Sequence, residues 1–235
     1  MWWFAAVHAN LLMLHQRMAA DGGGTGVLLD AGCGTGGFLA RLAGALPGRS
    51  AIGLDADAAA CARAAAKSRR PVCAGSVNAL PFAEASLAAI FSVDVLCHRR
   101  VDEMAALAQF RRALAAEGLL IVNLPAYRWM MSGHDRAVYN ARRYTRRRVV
   151  ALLRAAGFRP LYASYWNTLL FPVMAMTRKL LPARAGSDVE LPSRPVEAIG
   201  RIATTIERAF LRAGLRLPFG GSVLAVAAKM EIAHG

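Results

Sequence analysis

Apolar positions follow two different rhythms along the chain. Short, nearly continuous apolar runs predict buried strands, and longer stretches in which apolar residues recur every three or four positions predict helices. The predicted strands include 27–30, 51–55, 119–124 and 222–229. Strands that alternate with helices are typical of a parallel sheet covered by helices on both faces, so the pattern predicts an α/β protein.

Two stretches lie outside this alternation. Residues 1–20 form a predicted helix with a broad apolar face, which Asp21 and three following glycines end. Residues 166–221 separate the predicted strands 161–165 and 222–229, and they contain a predicted helix over 196–212. We expect this insertion to cover a binding site, to dock on a membrane surface, or to pack on the core or on a second copy.

A glycine-dense turn joins the first predicted strand to the next helix. Gly32, Gly34 and Gly37 satisfy the dinucleotide pattern G-x-G-x-x-G, whereas Asp30, Gly32, Gly34 and Gly36 satisfy D-x-G-x-G-x-G. A carboxylate beside the turn would repel a pyrophosphate, but it would attract the ammonium and sulfonium groups of S-adenosylmethionine. The acid therefore favours the second pattern.

A second acid, Asp55, ends the next predicted strand, 18 residues after Gly37. At the carboxyl edge of a parallel sheet, such an acid can accept hydrogen bonds from both ribose hydroxyls of a nucleoside. NAD enzymes use the same arrangement, so Asp55 alone does not distinguish the two cofactors. We expect Asp57 to cap the helix that runs to Ser68.

Together, these segments resemble the class I S-adenosylmethionine-dependent methyltransferases. The stretch that begins at Asp30 resembles their motif I, Leu80-Pro81-Phe82 matches the end of a later motif, and 95–98 resembles the loop after their fourth strand. Ser76 stands where the family usually has an acid that meets the adenine amino group. The resemblance implies S-adenosylmethionine as the cofactor, bound by Asp30, Gly32, Gly34, Gly36, Asp55, Ser76, Val77 and Val93.

The resemblance also implies the fold and the organisation of the chain. We expect a Rossmann-like α/β fold with a seven-stranded, mostly parallel sheet, helices on both faces and a helical insertion before the last strand. In this division, residues 1–24 form an N-terminal helix and residues 25–165 the S-adenosylmethionine-binding core. Residues 166–221 form the insertion or lid, and 222–235 return to the core.

The segment after the fifth predicted strand resembles a bacterial subgroup of the type 11 methyltransferases, with S-x-H-D followed by R-R-Y-T. In one interpretation, His134 is a general base that Asp135 orients, and His98 is the second candidate for this role. The residues expected to bind the substrate are Tyr127, Arg142, Arg143 and Tyr144. In the other interpretation, the segment is a structural loop in which Asp135 pairs with neighbouring arginines.

Charge and cysteine content narrow the choice of partners. The net charge is +14, and residues 121–235 carry 18 of the 29 basic residues but 6 of the 15 acidic ones. Such a surface can bind nucleic acid, anionic lipid or a phosphorylated substrate. A GC-rich genome, which favours Arg over Lys, would also raise the arginine content. The four cysteines stand far apart, so we predict neither a disulfide framework nor a metal site. We expect a cytoplasmic protein, with peripheral contact with the inner face of the membrane as an open alternative.

These observations predict an enzyme that transfers a methyl group from S-adenosylmethionine to a small or lipid-like acceptor. The apolar insertion, and the lack of an appended RNA-binding module, favour such an acceptor over nucleic acid. Three alternatives stay open. They are an RNA methyltransferase that uses the basic second half, an NAD-binding oxidoreductase, and a non-catalytic S-adenosylmethionine-binding protein.

Overall fold

The computed structural model describes residues 1–19, 26–180 and 193–230, with the backbone alone for 134, 136 and 178–180. Its centre is a seven-stranded sheet with the order β3-β2-β1-β4-β5-β7-β6. The strands are β1 (Val27–Ala31), β2 (Ala51–Asp55), β3 (Val72–Ala74), β4 (Leu87–Val93), β5 (Leu114–Pro125), β6 (Phe158–Trp166) and β7 (Ser222–Lys229). Strand β7 is antiparallel to both of its neighbours, and the other neighbouring pairs are parallel. The predicted fold class is confirmed.

Helices cover both faces of this sheet. They are α1 (Trp2–Met18), α2 (Gly37–Ala45), α3 (Ala58–Ser68), α4 (Glu103–Ala113), α5 (Gly133–Ala137), α6 (Arg146–Ala155), α7 (Phe171–Leu180) and α8 (Arg194–Arg212). Apolar residues of α4 and α6 form one buried cluster with the sheet, and apolar residues of α1 and α2 form another. Because both faces are covered, the central strands are almost continuously apolar, as buried parallel strands usually are.

Several boundaries agree with the sequence patterns, and one strand differs. Strands β2 and β7 have the predicted limits, and Asp57 caps α3 by accepting a hydrogen bond from the backbone of Ala59. Strand β5 begins at Leu114, not at the predicted Leu119. Leu114 pairs with Leu87 of β4, and Glu117 takes a left-handed conformation with φ 60° that lets the strand continue. The sequence Glu117-Gly118 is therefore an irregularity within the strand.

The insertion between β6 and β7 contains α7 and α8, and α8 lies along α1. The predicted glycine break at 21–24 and residues 181–192 of the insertion lie outside the described residues. In the part of the chain that the structure describes, no helix has both the length and the apolar character needed to cross a membrane. The division of the chain into a core and a lid stays a prediction.

Candidate functional site

The glycine turn lies at the carboxyl edge of the parallel strands, between β1 and α2. Gly32, Gly34 and Gly36 have φ values of 84°, 51° and 77°, which side chains disfavour, whereas Gly37 does not have a positive φ and begins α2. A Cβ at Gly36 would lie 2.7 Å from the Cα of Ala64, but a Cβ at Gly34 would enter open space. The turn therefore needs the glycines of the pattern that begins at Asp30, and it leaves a cradle beside Gly34.

Asp55 is held against this turn at the end of β2. Its Oδ2 accepts a hydrogen bond of 2.8 Å from the backbone N–H of Gly34, and its Oδ1 accepts one of 3.0 Å from Asp57. A carboxylate has lone pairs for further donors, so Asp55 can still accept from the hydroxyls of a ribose. The predicted acid and the predicted glycine turn thus meet at one place.

Asp30 is buried beneath the turn, with 1% of its surface exposed. One oxygen accepts a hydrogen bond from the backbone of Leu39, and the other, Oδ2, has no partner among the described residues. Burial, and then the charge of Asp55, raise the pKa of Asp30 to about 7. A buried acid without a partner is relieved by a cation, so the site fits the cationic groups of S-adenosylmethionine.

The predicted adenine contacts lie next to this edge, in the loop after β3. The N–H of Gly75 donates to the carbonyl of Asp55 over 2.8 Å, which places the loop beside the ribose acid. Ser76 is exposed, and its Oγ accepts a hydrogen bond of 3.1 Å from the N–H of Asn78, while Val77 is buried. The roles of Ser76 and Val77, and that of Val93 at the end of β4, stay predictions.

Asp135 forms a buried ion pair with Arg143, with 2.9 Å between its Oδ1 and Nη2. Its Oδ2 also accepts from the backbone N–H and the hydroxyl of Ser132, at 2.8 and 2.9 Å. Although burial opposes it, these donors hold the pKa of Asp135 below its usual range. Asp135 thus pairs with a neighbouring arginine, as the interpretation of this segment as a structural loop predicts. The side chain of His134 lies outside the described residues, so its role as a base stays a prediction.

The other polar residues of this segment also make internal contacts. Arg142 donates to the carbonyls of Leu96, His98 and Val101 over 2.9 to 3.0 Å. The guanidinium of Arg143 reaches the carbonyl of Ala126, and Tyr144 is fully buried with its hydroxyl on Leu96. The substrate role expected of Arg142, Arg143 and Tyr144 stays a prediction beside these internal contacts. Their donors hold the loop after β4 and the segment after β5 together.

Asp94, directly after β4, is a site residue that is not among those predicted to bind the cofactor or to act as a base. Its Oδ1 accepts a hydrogen bond of 2.9 Å from the side-chain amide of Asn123, whose Oδ1 accepts one of 2.7 Å from the indole N–H of Trp166. Burial raises the pKa of Asp94 to about 7, against the opposite effect of the Asn123 hydrogen bond. Its position in the sequence could have indicated a role in the site, because Asp94 follows a strand that ends at the same edge of the sheet as Asp55.

His98, the second candidate base, lies on the loop after β4. Burial lowers the pKa of His98, and the charge of Asp55 opposes that shift. The imidazole is therefore neutral near pH 7 and can accept a proton.

Five aromatic side chains form a cluster at the carboxyl ends of β5 and β6. The ring of Tyr127 stacks on Tyr165 at 5.2 Å and on Trp129 at 5.8 Å between centroids, and it also meets Phe171 at 5.5 Å. Phe219 meets Phe171 at 5.8 Å. Trp129 is 52% exposed and Phe219 is 41% exposed, so the cluster has an open side. Burial and Tyr165 raise the pKa of Tyr127 to about 12, which keeps its hydroxyl neutral.

Three non-glycine residues at this edge have a left-handed backbone conformation. Asp94, Tyr127 and Asn167 have φ values of 54°, 56° and 59°, and they follow β4, β5 and β6. Such conformations are strained and are frequently found at active sites. The strain therefore marks the edge that carries Asp94 and the aromatic cluster.

Comparisons with known proteins agree with this geometry. Residues 29–122 match the type 11 family of methyltransferase domains. No curated protein sequence matches the chain. The matched residues begin in β1, include the glycine turn and Asp55, and end in β5.

Solved structures of the same fold cover nearly the whole chain. A complex between the Haloferax volcanii Trm112 methyltransferase activator and a protein described as a methyltransferase shares 17% identity, covers 99% of this chain and 97% of that one, and has a TM-score of 0.61. Geranyl diphosphate C-methyltransferase from Streptomyces coelicolor shares 14% identity over 94% and 77% of the chains, with a TM-score of 0.60. The (4+2)-cyclase SpnF shares 22% identity over 94% and 82%, with a TM-score of 0.61. Residues 29–122 of the chain are therefore similar to a family of methyltransferase domains, in agreement with the resemblance of the motif that begins at Asp30.

Proposed function

We propose that the chain transfers the methyl group of S-adenosylmethionine to a small, largely apolar acceptor. The observation that carries the choice of acceptor is the open aromatic cluster formed by Tyr127, Trp129, Tyr165, Phe171 and Phe219 at the edge where Asp94 lies. Aromatic walls with few polar groups are typical of sites for apolar small molecules. The similar fold of an enzyme that methylates geranyl diphosphate is in keeping with such an acceptor.

The cofactor would lie across the glycine turn. Asp55 would accept from the ribose hydroxyls, Asp30 would attract the cationic end, and the backbone beside Gly34 would face the cofactor without a side chain between them. Ser76 and Val77 would border the adenine, and Val93 would lie near the methyl group. When bound, S-adenosylmethionine supplies an electrophilic methyl group on a sulfonium.

Asp94 is the base we favour for an acceptor that must lose a proton. Asp94 would take the proton that the acceptor loses on receiving the methyl group, and the sulfur of the sulfonium would keep the electron pair of the broken bond. Asn123 holds the receiving carboxylate by the 2.9 Å hydrogen bond. Much of the rate would come from alignment of the two reactants. His134 stays a second candidate, and Asp135 supports its loop.

Contacts of three arginines argue against an RNA-binding site in the segment around Arg142–Arg148. Arg142 and Arg143 direct their donors to carbonyls and carboxylates of the chain itself, and Arg148 pairs with Glu103 at 3.1 Å. These arginines contribute to the charge of the second half, but their groups are engaged in internal contacts. RNA binding depends on cations that can reach phosphates.

Replacement of Asp55 tests the cofactor site. We expect Asp55→Ala to weaken binding of S-adenosylhomocysteine by at least about tenfold, because a hydrogen bond to a charged group typically contributes about 1.5–3 kcal/mol. Titration calorimetry measures the affinity. Asp57→Ala is the matched control, because Asp57 caps α3 two residues away and should leave the affinity within about twofold.

A labelled-methyl screen tests the acceptor. Wild-type protein and radiolabelled S-adenosylmethionine are incubated with aqueous and lipid extracts, and label should enter the organic phase. Tight binding of NADH and none of S-adenosylhomocysteine would overturn the proposal. Label that appears in RNA would overturn the choice of acceptor.

A further inference from the structure

Helix α8 has an unusual distribution of side chains around its axis. The side that packs on the protein consists mainly of small or polar residues: Gly200, Ala203, Thr204, Glu207 and Leu211. A Cβ at Gly200 would collide with the ring of Trp2, so α8 approaches α1 closely there. The small side of the helix is therefore the buried one.

The large aliphatic residues of α8 face outward. They form a row along the helix, hereafter the apolar row: Val196, Ile199, Ile202, Ile206 and Phe210. Ile202 is 62% exposed, and even Phe210, at the carboxyl end, is 45% exposed. Exposed apolar residues are common singly, but a continuous row marks a surface for interaction.

A row of arginines runs along α8 across a strip of small residues from the apolar row. At 100° per residue, Arg194, Arg201, Arg208 and Arg212 lie within a sector of about 40° on α8, and the nearest member of the apolar row, Ile202, is about 80° away. The small residues Ala198, Thr205 and Ala209 lie between the two rows, on the side of α8 opposite the buried one. Two of them, Arg208 and Arg212, line an open cleft of about 840 Å³ between α1, α2 and α8. Arg17 of α1 and Arg41 of α2 line the same cleft.

This arginine cleft has an excess of positive charge. Within the described ranges, no carboxylate lines it, and none of its four arginines forms an ion pair. Burial and the charge of Arg41 lower the pKa of Arg208, as expected for guanidinium groups that face each other. An anion in the cleft would remove this repulsion.

We propose that the apolar row and the arginine cleft together dock the protein on the surface of an anionic phospholipid bilayer. An interfacial helix inserts its aliphatic side chains at the boundary of the acyl region and keeps its arginines at the phosphates. A 19-residue helix is about 28 Å long, so α8 would lie in the plane of the membrane. A second copy is disfavoured as the occupant, because it carries the same net charge of +14 and complements the arginine cleft less well than anionic lipid does.

The experiment is sedimentation of the full chain with vesicles of phosphatidylcholine, with and without phosphatidylglycerol. We expect the wild type to bind when phosphatidylglycerol is present, and the binding to weaken as salt is raised, because screening reduces charge attraction. The double variant Ile199→Ser/Ile202→Ser should bind at least about tenfold more weakly. The double variant Arg208→Gln/Arg212→Gln should lose the preference for phosphatidylglycerol.

Matched controls separate the docking surface from general apolar and basic character. Met104→Ser changes an exposed apolar residue of α4, and Arg154→Gln changes an exposed arginine of α6. Both should bind vesicles as the wild type does. Each variant should also bind S-adenosylhomocysteine normally, so failure of docking is distinguishable from failure of the proposed function.

Three results would overturn the proposal. The first is that the wild type does not sediment with phosphatidylglycerol vesicles at low salt. The second is that the isoleucine variant binds vesicles as tightly as the wild type. The third is a dimer of the wild type in solution that the same variant dissociates, which would assign the apolar row to a second copy.

Discussion

Asp30 and Asp94, two acids at the carboxyl edge of the sheet, both have a raised pKa mainly because they are buried, but their hydrogen-bond partners differ. Asp30 is buried with one oxygen unpartnered among the described residues, whereas Asp94 is held by Asn123. Both have a pKa of about 7, so each changes charge near neutral pH. Asp30 is therefore suited to form an ion pair with a cationic ligand, and Asp94 is suited to accept a proton.

Asp30 should reduce the stability of the ligand-free protein. Its pKa in the folded state is raised from 3.8 to about 7, so folded protein holds the proton more tightly than unfolded protein between these values. The free energy of unfolding therefore falls as pH rises through this window. We expect Asp30→Asn to be more stable than the wild type at pH 8 by at least about 1 kcal/mol, since one pKa unit corresponds to about 1.4 kcal/mol.

Urea unfolding at pH 5 and pH 8 measures this difference, which should shrink at the lower pH. The same variant should bind S-adenosylhomocysteine equally or more weakly, and S-adenosylmethionine at least about tenfold more weakly, because the cation loses its counter-charge. A variant that is less stable than the wild type at pH 8 would contradict this account of Asp30.

Asp94 should control the pH dependence of methyl transfer. Only the ionised carboxylate accepts a proton, so kcat/KM should rise with pH and level off above about 7. Asp94→Asn should lower kcat by about 10²–10⁴-fold and remove this rise. Asn123→Leu should move the rise to higher pH, since the lost hydrogen bond lowers the pKa of Asp94 in the wild type. An unchanged profile in Asp94→Asn would assign the proton transfer elsewhere.

At the scale of elements, the ion pair between Asp135 and Arg143 connects α5 to the segment before α6, and Arg143 also donates to the carbonyl of Ala126 just after β5. The carboxylate is 1% exposed and the guanidinium 5%, so neither charge can turn to water when its partner is lost. Breaking a buried pair from one side typically costs about 3–5 kcal/mol, because an uncompensated charge is left behind.

We therefore expect Asp135→Ala to lower the free energy of unfolding by about 3 kcal/mol or more, as measured in urea. The matched control is Asp102→Ala, which removes the exposed acid that caps α4 and should lower it by about 1 kcal/mol. Equal small losses in both variants would show that the pair contributes little. Large loss of turnover in Asp135→Ala with unchanged stability would restore its predicted catalytic role.

How much of these elements the sequence predicts depends on how local their determinants are. The glycine turn and Asp55 follow from short patterns, because a turn and a strand end are made by neighbouring residues. The contacts of Arg142 are not local, since its carbonyl partners lie 41 to 46 residues away. The raised pKa of Asp94 depends likewise on Asn123, 29 residues away.

At the scale of the whole molecule, α8 shows a limit of hydrophobic periodicity. The pattern correctly predicts a helix over 196–212, and periodicity would place its isoleucines against the core. The structure instead buries the small side, since Gly200 lets α8 approach Trp2 of α1. Periodicity identifies a face, but the shape of the neighbouring helix decides whether that face turns inward.

The left-handed residues Asp94, Tyr127 and Asn167 have a consequence for the evolution of this molecule. Each occupies a conformation that glycine would adopt with less strain, so the ends of β4, β5 and β6 hold conformational energy that a more heat-resistant protein could recover. Asp94 is the proposed base, and Tyr127 is the centre of the aromatic cluster. Selection for heat resistance and selection for turnover would therefore act on these residues in opposite directions.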